Sequence, residues 1–577
     1  MNATASGARL IDPLTYHTIP EALHAAPSED IFATMWTSED EVESVRFGEF
    51  RHRALAQASF FRDRGINDGQ RILLVMPQGI ALMAAFVGAM LAGGVPAILA
   101  YPNFKVDATK YSLGLRGVST NLKASVIVVG QEFPDGLMGH LNVERTTQLE
   151  RFQDHYPVNS FISEIRERRP NDLAFIQHSS GTTGLQKGVA LSHAAVLKHL
   201  AHLAPSLKLT PEDRIYSWLP LYHDMGLIAC FMLPLVFHLP VVMQSPSAWV
   251  TQPATMPKLI SDYRCSLAWV PNFALQFLAR RVRAEDRASF DLSSLRALIN
   301  CSEPVRDSSM EEFLSAYSRA RLRPHALQSS YGMAELVFAV TQSDVSSSGP
   351  SRVLIDGAIF RKENRAVLVR PGTPGAFCVV SSGRCIENTK VRILDSDGNA
   401  LAPGGVGEIV IHSETRLEGY INRPDLTAKV LDGEWYRSGD LGFVLDEELY
   451  AVGRKSDIII VAGENFYPED IEEIAASHPA IHDGRAVAFG RYNRALGTQE
   501  IILVAEVRSE SDLANSGVIE REIRSAVSTE MNIGIASIFL KPPLWIVKST
   551  AGKPARSTNR EKLILEHVEL QPDSGSF

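Results

Sequence analysis

Apolar residues recur along this chain in short β-rich bursts separated by helical patterns. The most apolar stretch runs from Ile72 to Ala100. Pro77-Gln78-Gly79 and Gly93-Gly94 cut it into three pieces. These pieces predict a strand at 72–76, a buried helix at 80–91 and a strand at 95–99. That is a β-α-β unit, since a membrane span needs about 20 unbroken apolar residues. The runs 124–129, 241–243, 267–270 and 295–299 alternate with helical patterns in the same way. The expected fold class is therefore α/β with parallel sheets.

From Val391 the texture changes to short strands with turn signals, such as Asp395-Ser-Asp-Gly398 and Pro403-Gly-Gly405. Residues 391–411 read as a small β-rich subdomain. After Gly453-Arg454 a new unit begins, with a strand at 458–461. Tyr467-Pro-Glu-Asp then opens a helix, with Pro at its first position and acids near the positive end of the dipole. The expected organisation is a large N-terminal body, residues 1–453, built from two parallel-sheet α/β subdomains and the small β-rich one. A hinge follows at 454–457, then a small mobile α+β C-terminal domain at 458–577. No internal repeat is visible, and the tail ending Asp573-Ser-Gly-Ser-Phe577 is expected to fray.

Composition narrows the function. A chain of 577 residues is too long for one core. The net charge is −9 and no long basic tract occurs, which argues against nucleic acid as a main partner. No basic-then-apolar leader is visible and no integral membrane segment is expected. The five cysteines form no Cys-x-x-Cys pair, which fits a reducing, cytoplasmic setting.

The most informative run is Ser179-Ser-Gly-Thr-Thr-Gly-Leu-Gln-Lys-Gly188, three glycines, four hydroxyls and one lysine after an apolar stretch. Such a loop can bring backbone N–H groups, hydroxyls and a point charge to phosphate oxygens. A Walker-type P-loop is excluded, because Gln186 precedes Lys187 and Gly188 follows it. A plain flexible surface loop is the alternative. The favoured reading is a cradle for a nucleotide triphosphate.

This run resembles the phosphate-binding signature of the adenylate-forming superfamily, which includes acyl-CoA synthetases, peptide-synthetase adenylation domains, luciferases and fatty acyl-AMP ligases. Further segments match in the expected order from about residue 15 to 560. They are Leu219-Pro-Leu-Tyr-His-Asp-Met-Gly226, Ser329-Ser-Tyr-Gly-Met-Ala-Glu335, Glu418-Gly-Tyr420, Tyr436-Arg-Ser-Gly-Asp440, Gly453-Arg454, Tyr467-Pro-Glu-Asp-Ile-Glu472 and Thr550-Ala-Gly-Lys553. The resemblance implies two half-reactions. A carboxylate attacks the α-phosphorus of ATP to give acyl-AMP and pyrophosphate, and a thiol then displaces AMP.

The resemblance also assigns roles. Ser180, Gly181, Thr182, Thr183, Gly184 and Lys187 would hold the phosphates, and Glu335, with Thr183, would bind Mg²⁺. Tyr331, flanked by Ser330, Gly332 and Met333, would stack on adenine, with Glu303-Pro304 lining its other face. Asp440 would accept from the ribose hydroxyls, and Arg454 would reach the ribose or phosphate. His223 would form a wall of the carboxylate pocket. Lys553 would bridge the attacking carboxylate and the α-phosphate, a task suited to a mobile point charge. Relatives often place Asp or Lys two residues after the hinge arginine, where this chain has Ser456.

Within the superfamily the chain is most similar to fatty acyl-AMP ligases. A long segment after Glu335, centred on 350–377, looks like the insertion that marks that group and is thought to restrain the C-terminal domain. Gly463-Glu464-Asn465 is instead more typical of CoA ligases. Phe231, Met232, Leu233, Trp269, Phe273 and Met333 are apolar candidates for the acid pocket, although each also suits plain core. Together they fit an alkyl chain. The expected activity is ATP- and Mg²⁺-dependent activation of a fatty or related carboxylic acid, with transfer to the phosphopantetheine thiol of an acyl carrier protein. Two alternatives stand beside it, a complete acyl-CoA synthetase and a non-catalytic adenylate-binding protein.

Overall fold

The structure, a computed structural model, describes residues 10–102, 108–141, 147–158, 168–178, 187–345, 349–494, 496–548, 553–567 and 570. The 72–100 stretch forms strand Arg71–Val75, helix Ile80–Leu91 and strand Val95–Ile98, as its Pro and Gly punctuation predicts. The two strands pair in parallel within a seven-stranded sheet. From one edge its order is Gly419–Tyr420, Gly188–Ser192, Leu173–His178, Val95–Ile98, Arg71–Val75, Val126–Val129 and Gln148–Arg151. Both faces are covered. Ile72 and Leu74 enter the main core, while Leu73 and Val75 enter a second core on the opposite face. Burial on both sides explains why these strands read as unbroken apolar runs.

A second sheet faces the first across the main core. Its parallel part runs Ile31–Ser38, Val241–Gln244, Ile215–Ser217, Leu267–Val270, Ala297–Asn300 and Leu327–Gly332. Strand Leu327–Gly332 serves two ladders. Leu327, Gln328 and Ser329 pair in parallel with Ala297–Asn300, while Ser330, Tyr331 and Gly332 pair antiparallel with Ala339–Gln342. Through that second ladder the sheet continues into Arg384–Cys385, Glu448–Arg454, Trp435–Leu445, Gly407–Ser413 and Thr389–Leu394. The β-rich region expected from Val391 is thus hydrogen-bonded to the parallel sheet rather than closed on itself. The two-ladder strand carries three of the candidate nucleotide-site residues, Ser330, Tyr331 and Gly332.

Between these parts lies the 350–377 segment. Strands Arg352–Asp356 and Ala376–Val380 pair antiparallel, with helix Gly357–Glu363 between them. Phe360 packs with Phe443 and with Tyr467, so this segment wedges between the β-rich region and the C-terminal residues. In the C-terminal part, strands Ile481–Asn493, Thr498–Val507 and Ile535–Lys541 form one sheet. Helices Pro468–Ala476 and Ser516–Met531 cover one face and helix Arg556–Glu566 the other. Pro468 occupies the first turn of its helix, followed by Glu469 and Asp470, as the sequence predicts. Among the described residues no helix is long and apolar enough to cross a membrane.

Phe231 sits where the two α/β sheets meet. It is fully buried, with ring centroids 6.4 Å from Phe32, 6.4 Å from Phe50 and 6.1 Å from Phe86. Phe231→Ala is expected to lower the unfolding free energy of the body by about 3–5 kcal/mol, the cost of truncating a buried aromatic ring. The midpoint and slope of a denaturant titration would measure it.

Candidate active site at the junction of the body and the C-terminal part

One corner of the site is built on the edge of the first sheet. Gly419–Tyr420 pairs antiparallel with Gly188–Ser192, which places Tyr420 opposite Val189, close in sequence to Lys187. The Lys187 ammonium lies 5.0 Å from the centroid of the Tyr420 ring, a cation–π distance. The Tyr420 hydroxyl donates to Glu335 Oε1 at 2.7 Å, and the Glu335 backbone carbonyl accepts from Leu417 N at 2.7 Å. Lys187 and Glu335 therefore share Tyr420. Ser180, Gly181, Thr182, Thr183 and Gly184 lie outside the described residues.

Among the described residues no three His, Cys, Asp or Glu side chains gather into a protein-built metal cage. Mg²⁺ does not need one, since one or two carboxylates and substrate phosphates satisfy it. The buried Glu335 carboxylate, with Oε1 held by Tyr420, is a donor of that kind.

The next corner lies on the two-ladder strand and on the hairpin Trp435–Leu445/Glu448–Arg454 of the same sheet. The Tyr331 hydroxyl donates to Asp440 Oδ2 at 2.8 Å, and Arg454 Nε stands 3.3 Å from Asp440 Oδ1. Asp440 and Arg454 face each other across one register position of the hairpin Trp435–Leu445/Glu448–Arg454. Burial raises the Asp440 carboxyl above its usual range, and Arg454 and the Tyr331 hydroxyl pull it back. A cleft of about 350 Å³ opens beside them, lined by Ser438, Gly439, Asp440, Arg454, Lys455 and Ser456. The Ser456 hydroxyl donates to Asp457 at 2.8 Å. Lys455 turns to Glu408, at 3.2 Å, which also holds Arg437.

Other candidates have local duties. The Ser330 hydroxyl is buried and donates to Thr341 O at 2.7 Å. A Cβ on Gly332 would meet Phe338 O at 2.3 Å, so glycine lets the strand turn tightly onto Ala339–Gln342. Met333 is partly buried against the main core. Glu303 Oε2 accepts from Phe273 N at 3.0 Å, in the first turn of helix Asn272–Arg281, where a negative charge suits the dipole. Pro304 follows on the same surface loop.

The third corner holds the Leu219–Gly226 motif. A Cβ on Gly226 would meet Pro220 O at 2.3 Å, so glycine is required for this turn to close. It leads into a π-helical segment, Met225–Met232. Asp224 accepts from Met225 N at 2.8 Å. His223 Nε2 is buried and has no hydrogen-bond partner among the described residues. Burial pushes the His223 imidazole down to about 4, helped by the charge of Lys553. Burial pushes the Asp224 carboxyl up to about 6, with Glu335 adding to the shift and Lys553 opposing it. His223 is therefore neutral at pH 7.

Lys553 arrives from the C-terminal part. Its ammonium donates to the backbone carbonyl of Ser302, 251 residues away. Ser302 has φ of 72°, which turns that carbonyl aside from the path of the loop. The structure thus gathers Lys187, Glu335, Tyr331, Asp440, Arg454, His223 and Lys553 around one junction. Sequence reading missed the link made by Tyr420, although Glu418-Gly-Tyr420 was among the matching segments.

The acid-pocket candidates divide. Phe231, Met232 and Leu233 are fully buried in the main core, and Trp269 lies on the central strand Leu267–Val270 with 1% exposure. Phe273 is partly buried and meets Trp218 and Trp249 edge-on, at 6.3 and 6.1 Å, and those two indoles stack at 3.7 Å.

Known proteins share this fold. The model of the AMP-binding enzyme family matches residues 22–421. The medium-chain-fatty-acid–[acyl-carrier-protein] ligase JamA of Moorena producens is 31% identical over 575 residues, spanning 96% of this chain and 95% of its own. A structure from studies of fatty acyl-adenylate ligases of E. coli and L. pneumophila superposes with a TM-score of 0.89 at 27% identity, covering 97% of this chain and all of that one. The L. pneumophila fatty acyl-adenylate ligase in complex with acyl adenylate and pyrophosphate gives 0.72 at 27% identity, over 96% and 98%. With a family match across most of its length and a relative aligned nearly end to end, this chain belongs to the AMP-binding enzyme family.

Proposed function

We propose that the protein is a fatty acyl-AMP ligase that activates a fatty acid with ATP and passes the acyl group to the phosphopantetheine thiol of an acyl carrier protein. The reading rests on one contact, the Lys553 ammonium seated on the Ser302 carbonyl beside the His223 and Asp440 corners. Its relatives support the chemistry, since JamA is by name a fatty-acid–[acyl-carrier-protein] ligase and the L. pneumophila enzyme holds acyl adenylate and pyrophosphate.

In the first half-reaction a carboxylate oxygen bonds to the α-phosphorus, and the bond to the β-phosphate oxygen breaks. Pyrophosphate leaves with the electron pair. Negative charge shifts across the phosphoryl oxygens, and fixed positive charge close by lowers the barrier. Lys553 supplies that charge on the α-phosphate side and Lys187 on the β/γ side. Glu335 is the proposed Mg²⁺ donor, and the ion, once bound, neutralises phosphate charge. Neutral His223 can orient the incoming carboxylate without competing with Lys553 for it. Asp440 and Arg454 hold the ribose, with the Tyr331 ring against adenine. In the second half-reaction a thiol attacks the acyl carbon and AMP departs. Dependence on ATP and five cysteines without a disulfide suit a cytoplasmic enzyme.

Incubation with ATP, Mg²⁺, CoA, a holo acyl carrier protein and a panel of carboxylic acids tests the reading. Acyl-AMP and acyl-carrier product without acyl-CoA are expected. Abundant acyl-CoA would make the protein a synthetase, and no adenylate from any acid would sink the enzyme reading. Lys553→Ala is expected to slow acyl-AMP formation by at least ~10²-fold, the loss of one transition-state contact. The Asp224 carboxyl gives a second test. Between pH ~4 and about 6 the native state keeps a proton that the unfolded chain has released, so this group lowers stability as pH rises through that window. Asp224→Asn should remove that slope. Its unfolding free energy relative to wild type should climb from pH ~4 to ~6 and then stay level. A flat difference would mean that the carboxyl titrates normally.

A further inference from the structure

The segment Tyr467-Pro-Glu-Asp-Ile-Glu472 takes no part in the chemistry above, yet it forms a helix with two charged faces. On helix Pro468–Ala476, Ile471 and Ala475 turn into the C-terminal core. Residues three apart share a face, so Asp470 pairs with Glu473 and Glu469 with Glu472. The first pair points at the body. Arg306 Nη1 lies 2.6 Å from Asp470 and its Nε 3.3 Å from Glu473, and the Ser308 hydroxyl donates to Glu473 at 2.6 Å.

The second pair points at the root of the lysine segment. Arg556 Nη2 donates to both oxygens of Glu472 at 2.8 and 3.0 Å and to Glu469 at 3.1 Å. Arg556 Nη1 reaches Asp457, in the hinge, at 2.5 Å. Its Nε donates to Ala488 O at 3.2 Å, while Ala488 N donates back to Glu472 at 2.8 Å. Arg556 stands three residues after Lys553 and opens helix Arg556–Glu566. Lys548 and Pro554 pair across the base of the same segment, and Ala555 N donates to Val547 O at 2.9 Å.

The contacts close into a ring. Ser302 and Arg306 belong to one short loop of the body. Ser302 receives the Lys553 ammonium and Arg306 receives the acidic helix, which in turn holds Arg556 beside Lys553. We infer that Arg306 and Arg556 are positioning residues that set the place of Lys553 through the two acidic faces of helix Pro468–Ala476, an inference that rests on the proposed role of Lys553. Each arginine binds two or more carboxylates, so its planar fork fixes direction as well as charge. A lysine cannot reproduce that fork.

Two measurements on the full-length protein test this. The first reads position without activity. Lys553 is labelled with an amine-reactive ester and followed by peptide mass spectrometry, with exposed Lys362 as the reference. Arg306→Gln and Arg556→Lys should each raise the labelling rate of Lys553 several-fold and leave Lys362 unchanged. The second is a double-mutant cycle. Each variant should slow acyl-AMP formation by about 10-fold or more, with the KM for ATP nearly unchanged, since small misplacement of a reacting group is costly. In the Lys553→Ala background each should add less than ~2-fold, because its only route of action is gone.

Unchanged labelling of Lys553, or losses that multiply in the Lys553→Ala background, would overturn the inference. Arg556→Gln, which leaves three carboxylates without their partner, should be worse than Arg556→Lys in both measurements, and equal behaviour would also count against it. If labelling rises in both variants while acyl-AMP formation holds, positioning stands and the proposed chemical role of Lys553 falls instead.

Discussion

An ammonium carried by residue 553 meets a carbonyl carried by residue 302, and the elements on both sides of that contact hold its two ends. A charge brought to a half-buried junction is useful only if it arrives at one place. Long lysine side chains are poor at defining place by themselves. The definition comes from parts that are already rigid. The Ser302 loop is fixed by the strand Ala297–Asn300 before it and by the Glu303 carboxylate on the first turn of Asn272–Arg281 after it. On the other side, the acidic helix and the three-stranded C-terminal sheet hold the segment that bears the lysine.

Much of the fold was legible in the sequence because glycine and proline mark where elements end. Gly79, Gly93 and Gly94 bound helix Ile80–Leu91, and Pro468 opens its helix at the expected residue. Sheet membership was less legible. Strand Leu327–Gly332 divides its hydrogen bonds between a parallel and an antiparallel neighbour, and nothing in its own residues says where the change occurs. It follows from partners at 297–300 and 339–342, which periodicity within one strand cannot reveal.

Of the candidate site, what the sequence named by motif, Lys187, Glu335, Asp440 and Lys553, the structure places around one junction. The site was less legible where a side chain works through another. Tyr420 matters because its hydroxyl holds Glu335 and its ring faces Lys187, and both contacts join distant parts of the chain. Arg556 reads in sequence as an ordinary charge near a lysine. Apolarity was an equally blunt guide. It marked Phe231, Met232 and Trp269 as buried, which they are, but burial does not distinguish a wall facing a ligand from the centre of a core.

Under the ribose role proposed for Asp440, its hydrogen bond from Tyr331 would bear on nucleotide exchange. A carboxylate that waits for ribose would ordinarily sit with an acceptor unmet in a partly dry cleft, at a cost in free energy. Here the phenol of Tyr331, from strand Leu327–Gly332, occupies one acceptor in advance. On the proposed ribose role, an incoming sugar hydroxyl would meet a carboxylate whose direction Tyr331 and Arg454 already set. On that proposal the aspartate, its orientation fixed beforehand by the phenol, would select by the geometry of the incoming hydroxyl.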